Sequence, residues 1–93
     1  MIVFAGRTAA EPTPEQRHRR LVDQPPSAKL VFKVLELDAP LTQQEIAERT
    51  RLSPRTTRHA IALLRDADLV AERVYVPDAR KRIFEPEAVA ESG

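Results

Sequence analysis

Cysteine is absent from this chain of 93 residues, which excludes both a disulfide framework and a thiolate metal site. Histidine occurs only at His18 and His59, and no nucleophile–base pairing is visible, so an enzyme is not expected and neither is a metal or cofactor. No apolar run approaches membrane-spanning length. Met1 to Ala5 is too short and too badly flanked for a signal peptide, so the expected compartment is the cytoplasm. Internal repeats and low-complexity stretches are missing as well. A single domain of this size buries only roughly 60% of its unfolded surface. The core is therefore expected to be small, and dimerisation would be a natural supplement to it.

What the chain does have is a segregated charge distribution beneath a net charge of only +1. From Arg49 to Arg65 there are five arginines and no acidic residue, while Glu36 to Glu48 is acidic. Arginine outnumbers lysine twelve to three, which fits genome bias as well as function.

The central stretch, Leu41 to Val70, reads as two short helices joined by a tight turn. Thr42 with Glu45 three residues later forms a capping box, and Leu41 with Ile46 has the spacing of a hydrophobic staple. Ser53 followed by Pro54 marks the second start. Thr50-Arg51-Leu52 between them has about the length of a helix-turn-helix turn. At 100° per residue, the helix from about Pro54 to Ala67 places Thr57, Ala60, Ile61 and Leu64 on a narrow apolar stripe. Arg55, Arg58, His59, Ala62 and Arg65 fall opposite. A solvated face ordinarily mixes signs, so a single-sign face points to a polyanion. A slim helix with long donors near its start suits the DNA major groove.

Around that centre, Met1 to Pro12 has no periodicity and is expected to be an arm. Thr13-Pro14-Glu15-Gln16 is a second capping box, opening a helix that ends near Asp23 before Pro25-Pro26. Its basic run Arg17, His18, Arg19, Arg20 reads equally as a phosphate-contacting arm or a solvated surface. Ser27 is the expected cap of a helix to about Asp38. There Leu30, Val31, Phe32, Val34, Leu35 and Leu37 leave only a polar strip of Lys29, Lys33 and Glu36. That girth predicts burial on two sides, against the domain core and against either the N-terminal helix or a second subunit. Leu63 can join that contact or stand exposed. Two β-like runs follow, Arg73 to Val76 and Arg82 to Glu85, around the turn Pro77-Asp78-Ala79-Arg80-Lys81. The remainder, with Glu85, Glu87 and Glu91, is a short acidic helix or a disordered end.

Helix, helix, helix and hairpin in that order resemble the winged helix-turn-helix transcriptional regulators, especially MarR-like proteins and small archaeal regulators. The resemblance spans about Pro26 to Pro86. Its carriers are Leu41-Thr42-Gln43-Gln44-Glu45-Ile46-Ala47-Glu48, Leu52-Ser53-Pro54-Arg55-Thr56-Thr57-Arg58, Leu64 with Leu69-Val70, and the wing-like Asp78-Ala79-Arg80-Lys81-Arg82. It implies a mainly α fold with a small β-hairpin (α+β), a three-helix core plus wing. Residues 1–25 would form an arm with a short basic helix, 26–86 the winged helix-turn-helix domain and 87–93 an acidic tail.

The function implied is sequence-specific double-stranded DNA binding in transcription regulation. Ser53, Arg55, Thr56, Arg58 and His59 would read the major groove, and Arg80 the minor groove. Arg65, Lys81, Arg82, Thr42 and Gln43 complete the expected DNA-binding set. A homodimer is expected, meeting through the segment up to Val22 and the Phe32 side of the third-from-last helix. The alternative is a protein–protein module, which would favour a mixed or apolar recognition face, or an RNA-binding adaptor, though the slender reading helix suits the wide DNA major groove better. His59 could serve as a metal ligand, though a phosphate or base contact is the simpler role. Nothing marks a small-molecule effector site.

The sequence departs from the pattern it resembles at four points. Arg51 and Asp68 stand where such proteins often have glycine, and arginine enters the left-handed region less readily than aspartate. Thr57 stands where a branched apolar residue is usual. Its methyl can pack while its hydroxyl bonds a carbonyl one turn back. The long flanking helices that build the dimer of larger MarR proteins are missing.

Overall fold

The computed structural model describes residues 13–88; the expectations for the arm at 1–12 and for the tail's last residues lie outside these. Four helices and a three-stranded sheet follow one another as α1 (Pro14–Val22), α2 (Pro26–Asp38), β1 (Leu41–Thr42), α3 (Gln43–Thr50), α4 (Pro54–Asp66), β2 (Val70–Val74) and β3 (Arg82–Pro86). Three of the four expected side-chain caps form, at Thr13, Thr42 and Ser53. Thr13 Oγ1 accepts from the Gln16 N–H at 3.1 Å, and Gln16 Oε1 accepts from the Thr13 N–H at 2.9 Å. Thr42 and Glu45 repeat the arrangement at 3.1 and 2.8 Å. Ser53 Oγ accepts from the Thr56 N–H at 3.1 Å.

At α2 the expectation needs correction. Ser27 does not cap it; Pro25 occupies the cap position without a side-chain hydrogen bond, and Pro26 is the first helical residue. Proline's fixed φ suits a first turn, so the helix starts one residue before the hydroxyl that was expected to open it.

The core gathers Ala28, Val31, Phe32 and Leu35 from α2, Ile46 from α3, and Ala60, Ile61 and Leu64 from α4. Leu41, Leu69, Val70 and Phe84 close it from the sheet side. Fully burying a leucine or phenylalanine contributes roughly 1.5–3 kcal/mol, so this dozen side chains dominates the packing energy. The stripe read from the sequence of α4 is the one buried: Thr57, Ala60, Ile61 and Leu64.

The two-sided burial expected of α2 is only partly realised. Phe32 is covered by α1, whose Arg17 guanidinium lies 4.9 Å from the ring centroid and 3.6 Å from Glu36. Leu30 is partly exposed and Leu37 is 71% exposed. On the Phe32 side the cover is therefore supplied by the chain itself, through α1. No residue of α1 is fully buried. Its attachment rests on Leu21, which packs against the core, on the Arg17 contacts and on Arg20, which donates to the Ala67 carbonyl at 3.1 Å.

The helix-turn-helix geometry is set at Arg51, which ends α3 in the left-handed region at φ 65°, ψ 17°. Asp68, just past α4, has φ 59°. Both glycine-like positions are thus filled by residues with a Cβ, at a cost of roughly 1–2 kcal/mol for the one without a short polar side chain.

Beyond Asp68 the chain enters β2 at Val70, three residues earlier than the sequence suggested. Tyr75 and Val76 belong to the turn. The Tyr75 N–H donates to the Lys81 carbonyl and its own carbonyl accepts from the Asp78 N–H, both at 3.0 Å. The sheet order is β1-β3-β2, all antiparallel. The two-residue β1, unanticipated from sequence, pairs Leu41 with Phe84 and Thr42 with Ile83. This bolts the hairpin to the start of α3.

Thr57 is fully buried, and among the described residues its Oγ1 has no hydrogen-bond partner. The expected back-bond does not form; the Ser53 carbonyl one turn back takes the Thr57 backbone N–H at 2.9 Å. Thr50 makes that bond instead, donating from Oγ1 to the Ile46 carbonyl at 2.8 Å. Leaving a buried hydroxyl unpaired costs roughly 1–3 kcal/mol. Thr57→Val, which keeps the shape and removes the hydroxyl, is expected to raise unfolding stability by about 1 kcal/mol. Urea unfolding checks it, and an unchanged or lower midpoint would show that the hydroxyl is satisfied.

Candidate nucleic-acid interface

Burying one narrow stripe of α4 leaves the rest of the helix outward. Arg55, Arg58, His59, Ala62 and Arg65 are exposed and Thr56 is half-buried. Among the described residues, Arg55 and Arg58 take part in no ion pair. Ala62 keeps the middle of the face low. Ser53 and Thr56 are engaged with each other: Ser53 Oγ, besides capping the helix, lies 3.0 Å from Thr56 Oγ1.

The wing stands beside this face. Its tip is organised by Asp78, whose Oδ1 accepts from the Arg80 N–H at 3.1 Å and from Arg80 Nε at 3.3 Å. Even so, the Arg80 side chain is 92% exposed, so the carboxylate steers the guanidinium without hiding it. Arg82 folds back on the hairpin, donating to the Ala79 carbonyl at 2.9 Å.

Because β1 joins α3 to the hairpin, Thr42 and Gln43 share an open groove with Lys81 and Arg82. The groove has a volume of about 430 Å³ and is completed by Gln44, Glu72 and Phe84. The Thr42 hydroxyl is held by its cap. The Thr42 N–H bonded to Glu45 keeps that carboxyl below its usual range; the positive charges of Arg49 and Lys81 add to the effect, and slight burial opposes it.

One functional candidate was missed. Glu72 Oε1 lies 2.7 Å from Arg65 Nη1, and Oε2 lies 3.4 Å from Arg82 Nε. A single carboxylate thus bridges α4 and β3. The signal existed in the alternation of β2: Glu72 lies cross-strand from Phe84 and diagonal to Arg82 on the same face. Starting the strand at Arg73 hid it. The eleven expected side chains therefore divide. Arg55, Arg58, His59 and Lys81 make no ion pair among the described residues, Arg65, Arg80 and Arg82 are paired to carboxylates, and Ser53, Thr42 and Thr56 serve helix starts. Gln43 lines the groove.

Residues 28–71 match the family model described as winged helix-turn-helix DNA-binding. No curated protein matches the sequence. Among solved structures the chain is similar to the adhesin competence repressor AdcR of Streptococcus pyogenes, with 25% identity and a TM-score of 0.65, covering 70% of this chain and 47% of that one. It is also similar to MepR of S. aureus in a MepR–DNA complex, with 18% identity and a TM-score of 0.65, covering 77% and 61%. A MarR family transcription regulator gives a TM-score of 0.67 at 14% identity, covering 90% and 53%. The chain thus spans about half to three-fifths of the length of these relatives. Element order, sheet topology and these similarities agree: the described residues have a winged helix-turn-helix fold, the fold of a MarR family transcription regulator, and residues 28–71 are similar to the winged helix-turn-helix DNA-binding family.

Proposed function

We propose that the protein is a sequence-specific double-stranded DNA-binding transcription regulator, with α4 in the major groove and the wing at the minor groove. One observation carries this reading: the outward face of α4 presents Arg55, Arg58 and His59 without a carboxylate partner among the described residues, beside a wing whose tip arginine projects into solvent. A MepR–DNA complex of the same fold supports it. Such a protein acts by binding rather than catalysis, in the compartment that holds the DNA, here read as the cytoplasm. Among the described residues no helix is long and apolar enough to cross a membrane. Residues 26–86 would be the DNA-binding unit, with α1 strapped onto it.

Four to six neutralised phosphates per subunit should make log affinity for duplex DNA fall with log salt at a slope of roughly −4 to −5. Filter binding or fluorescence anisotropy across a salt series tests the proposal, and salt-insensitive binding, or none to any duplex, would overturn it.

Arg55 and Arg58 lie in the first turns of α4, where side chains reach base edges. Changing either to alanine is expected to cost about 1–3 kcal/mol on a site obtained by in vitro selection and less on random duplex. Equal losses on both would make them phosphate contacts.

The working form is proposed to be a homodimer. The small core motivates it, as does the apolar edge that α2 leaves open at Leu30 and Leu37, near in sequence to exposed Val22. Sedimentation at micromolar concentration should give a dimer, and Leu37→Lys should shift it toward monomer. A monomer at every concentration, occupying one contiguous half-site, would refute this.

A further inference from the structure

A carboxylate in a DNA-binding groove is at first sight misplaced. Glu72 lines the groove shared by Thr42, Gln43, Lys81 and Arg82, and also the neighbouring depression beside Arg65 and Asp66. Its side chain is only 27% exposed, whereas those of the arginines it meets are about half exposed, at 50% and 48%. The acid is therefore the floor of the arrangement and the guanidinium groups are its rim. Each carboxylate oxygen faces a different element, Oε1 the end of α4 and Oε2 the base of the wing. Arg82 is further fixed by the Ala79 carbonyl at 2.9 Å, so its guanidinium is tied at both sides.

We propose that Glu72 is a specificity-determining, positioning residue for DNA binding: it sets the wing against the recognition helix through Arg65 and Arg82 and partly cancels their charge. The inference rests on the DNA-binding reading above. Two consequences follow from elementary electrostatics. Phosphate attraction is independent of sequence, so removing a negative charge from the groove strengthens binding to every duplex alike. Discrimination, by contrast, depends on side chains held in register with the base edges and groove walls. A carboxylate that pins two arginines therefore lowers indiscriminate affinity while raising the ratio between correct and incorrect sites.

The test uses the full chain and two variants, Glu72→Gln and Glu72→Asp. Each is titrated with a selected duplex and a random duplex over a salt series. With one negative charge removed, E72Q should bind random duplex about five- to tenfold more tightly at about 0.1 M salt, with a salt slope steeper by about 1. Its ratio of selected to random affinity should fall about tenfold or more. E72D keeps the charge but shortens the reach, so its ratio should fall without the gain on random duplex. Three results would overturn the proposal. One is equal weakening on both duplexes by E72Q, which is the mark of a merely structural role. Another is an unchanged ratio in both variants. The third is a gain on random duplex by E72D as large as that of E72Q. Should E72Q fail to fold, the ratio measured with E72D decides alone. Failure of the unmodified chain to bind any duplex would remove the DNA-binding reading itself, a result distinct from all three.

Discussion

Everything functional in this small protein depends on the narrowness of one buried stripe. Thr57, Ala60, Ile61 and Leu64 anchor α4 against α2 and the core. Spaced three and four residues apart, they occupy one side of the helix and leave the other side to solvent. Had Ala62 or His59 been a large apolar residue, the helix would have been drawn deeper or covered. The stripe therefore does two jobs at once: it supplies the packing that holds α4, and its limited width presents Arg55, Arg58 and His59 outward. Ser53 and Pro54 fix where the helix begins, and hence which residues fall in its first, protruding turns.

The second constraint is the connection between α3 and the hairpin. A two-stranded hairpin is marginal alone in water and needs a third strand or a packed face. Here β1 supplies two residues of pairing to β3, and Phe84 fills the core between Leu41 and the helices. The wing is thereby attached at its base, while Val76 at its far end is 90% exposed. Rigidity at one end and projection at the other follow from the same arrangement.

What could be read from the sequence was what is local. Capping boxes at Thr13 and Thr42, the Ser53 cap and the stripe of α4 all depend on residues within one or two turns, and all form. Arg51 and Asp68 stand where the resemblance places glycine, and both adopt positive φ, although arginine is expected to do so less readily. Two local readings failed, the Ser27 cap and the Thr57 back-bond; the other misreadings arose where the decision was non-local. β1 is too short to show a period, and it exists only because β3 returns to it. The start of β2 is set by the need of Leu69 and Val70 to reach the core immediately after the turn, not by the aromatic richness of Tyr75 and its neighbours. The apolar girth of α2 implied two covered sides. How far α1 reaches could not be seen from either helix alone, so Phe32 proved covered while Leu37 did not.

The candidate site shows the same divide in electrostatic form. Counting charges along the chain finds the basic run from Arg49 to Arg65, but the fold distributes those charges between partners. Arg49 goes to Asp38 at 3.3 Å and Arg65 to Glu72, leaving Arg55 and Arg58, among the described residues, as the unpaired arginines of α4. These two lie at the helix start, whereas the paired arginine lies at its end. Exposed pairs of this kind contribute little to stability, typically 0–1 kcal/mol, because water already solvates both groups well. Their effect is on where charge stands and which way it points. A face with unpaired donors at one end and tethered donors at the other is polarised along the helix axis. On the DNA-binding reading proposed above, an incoming duplex would meet unpaired arginines at the first turns of α4 and carboxylate-tethered arginines where helix and wing converge. That asymmetry cannot be derived from composition, since it requires Glu72 and Arg65, seven residues apart, to be brought together by the left-handed turn at Asp68.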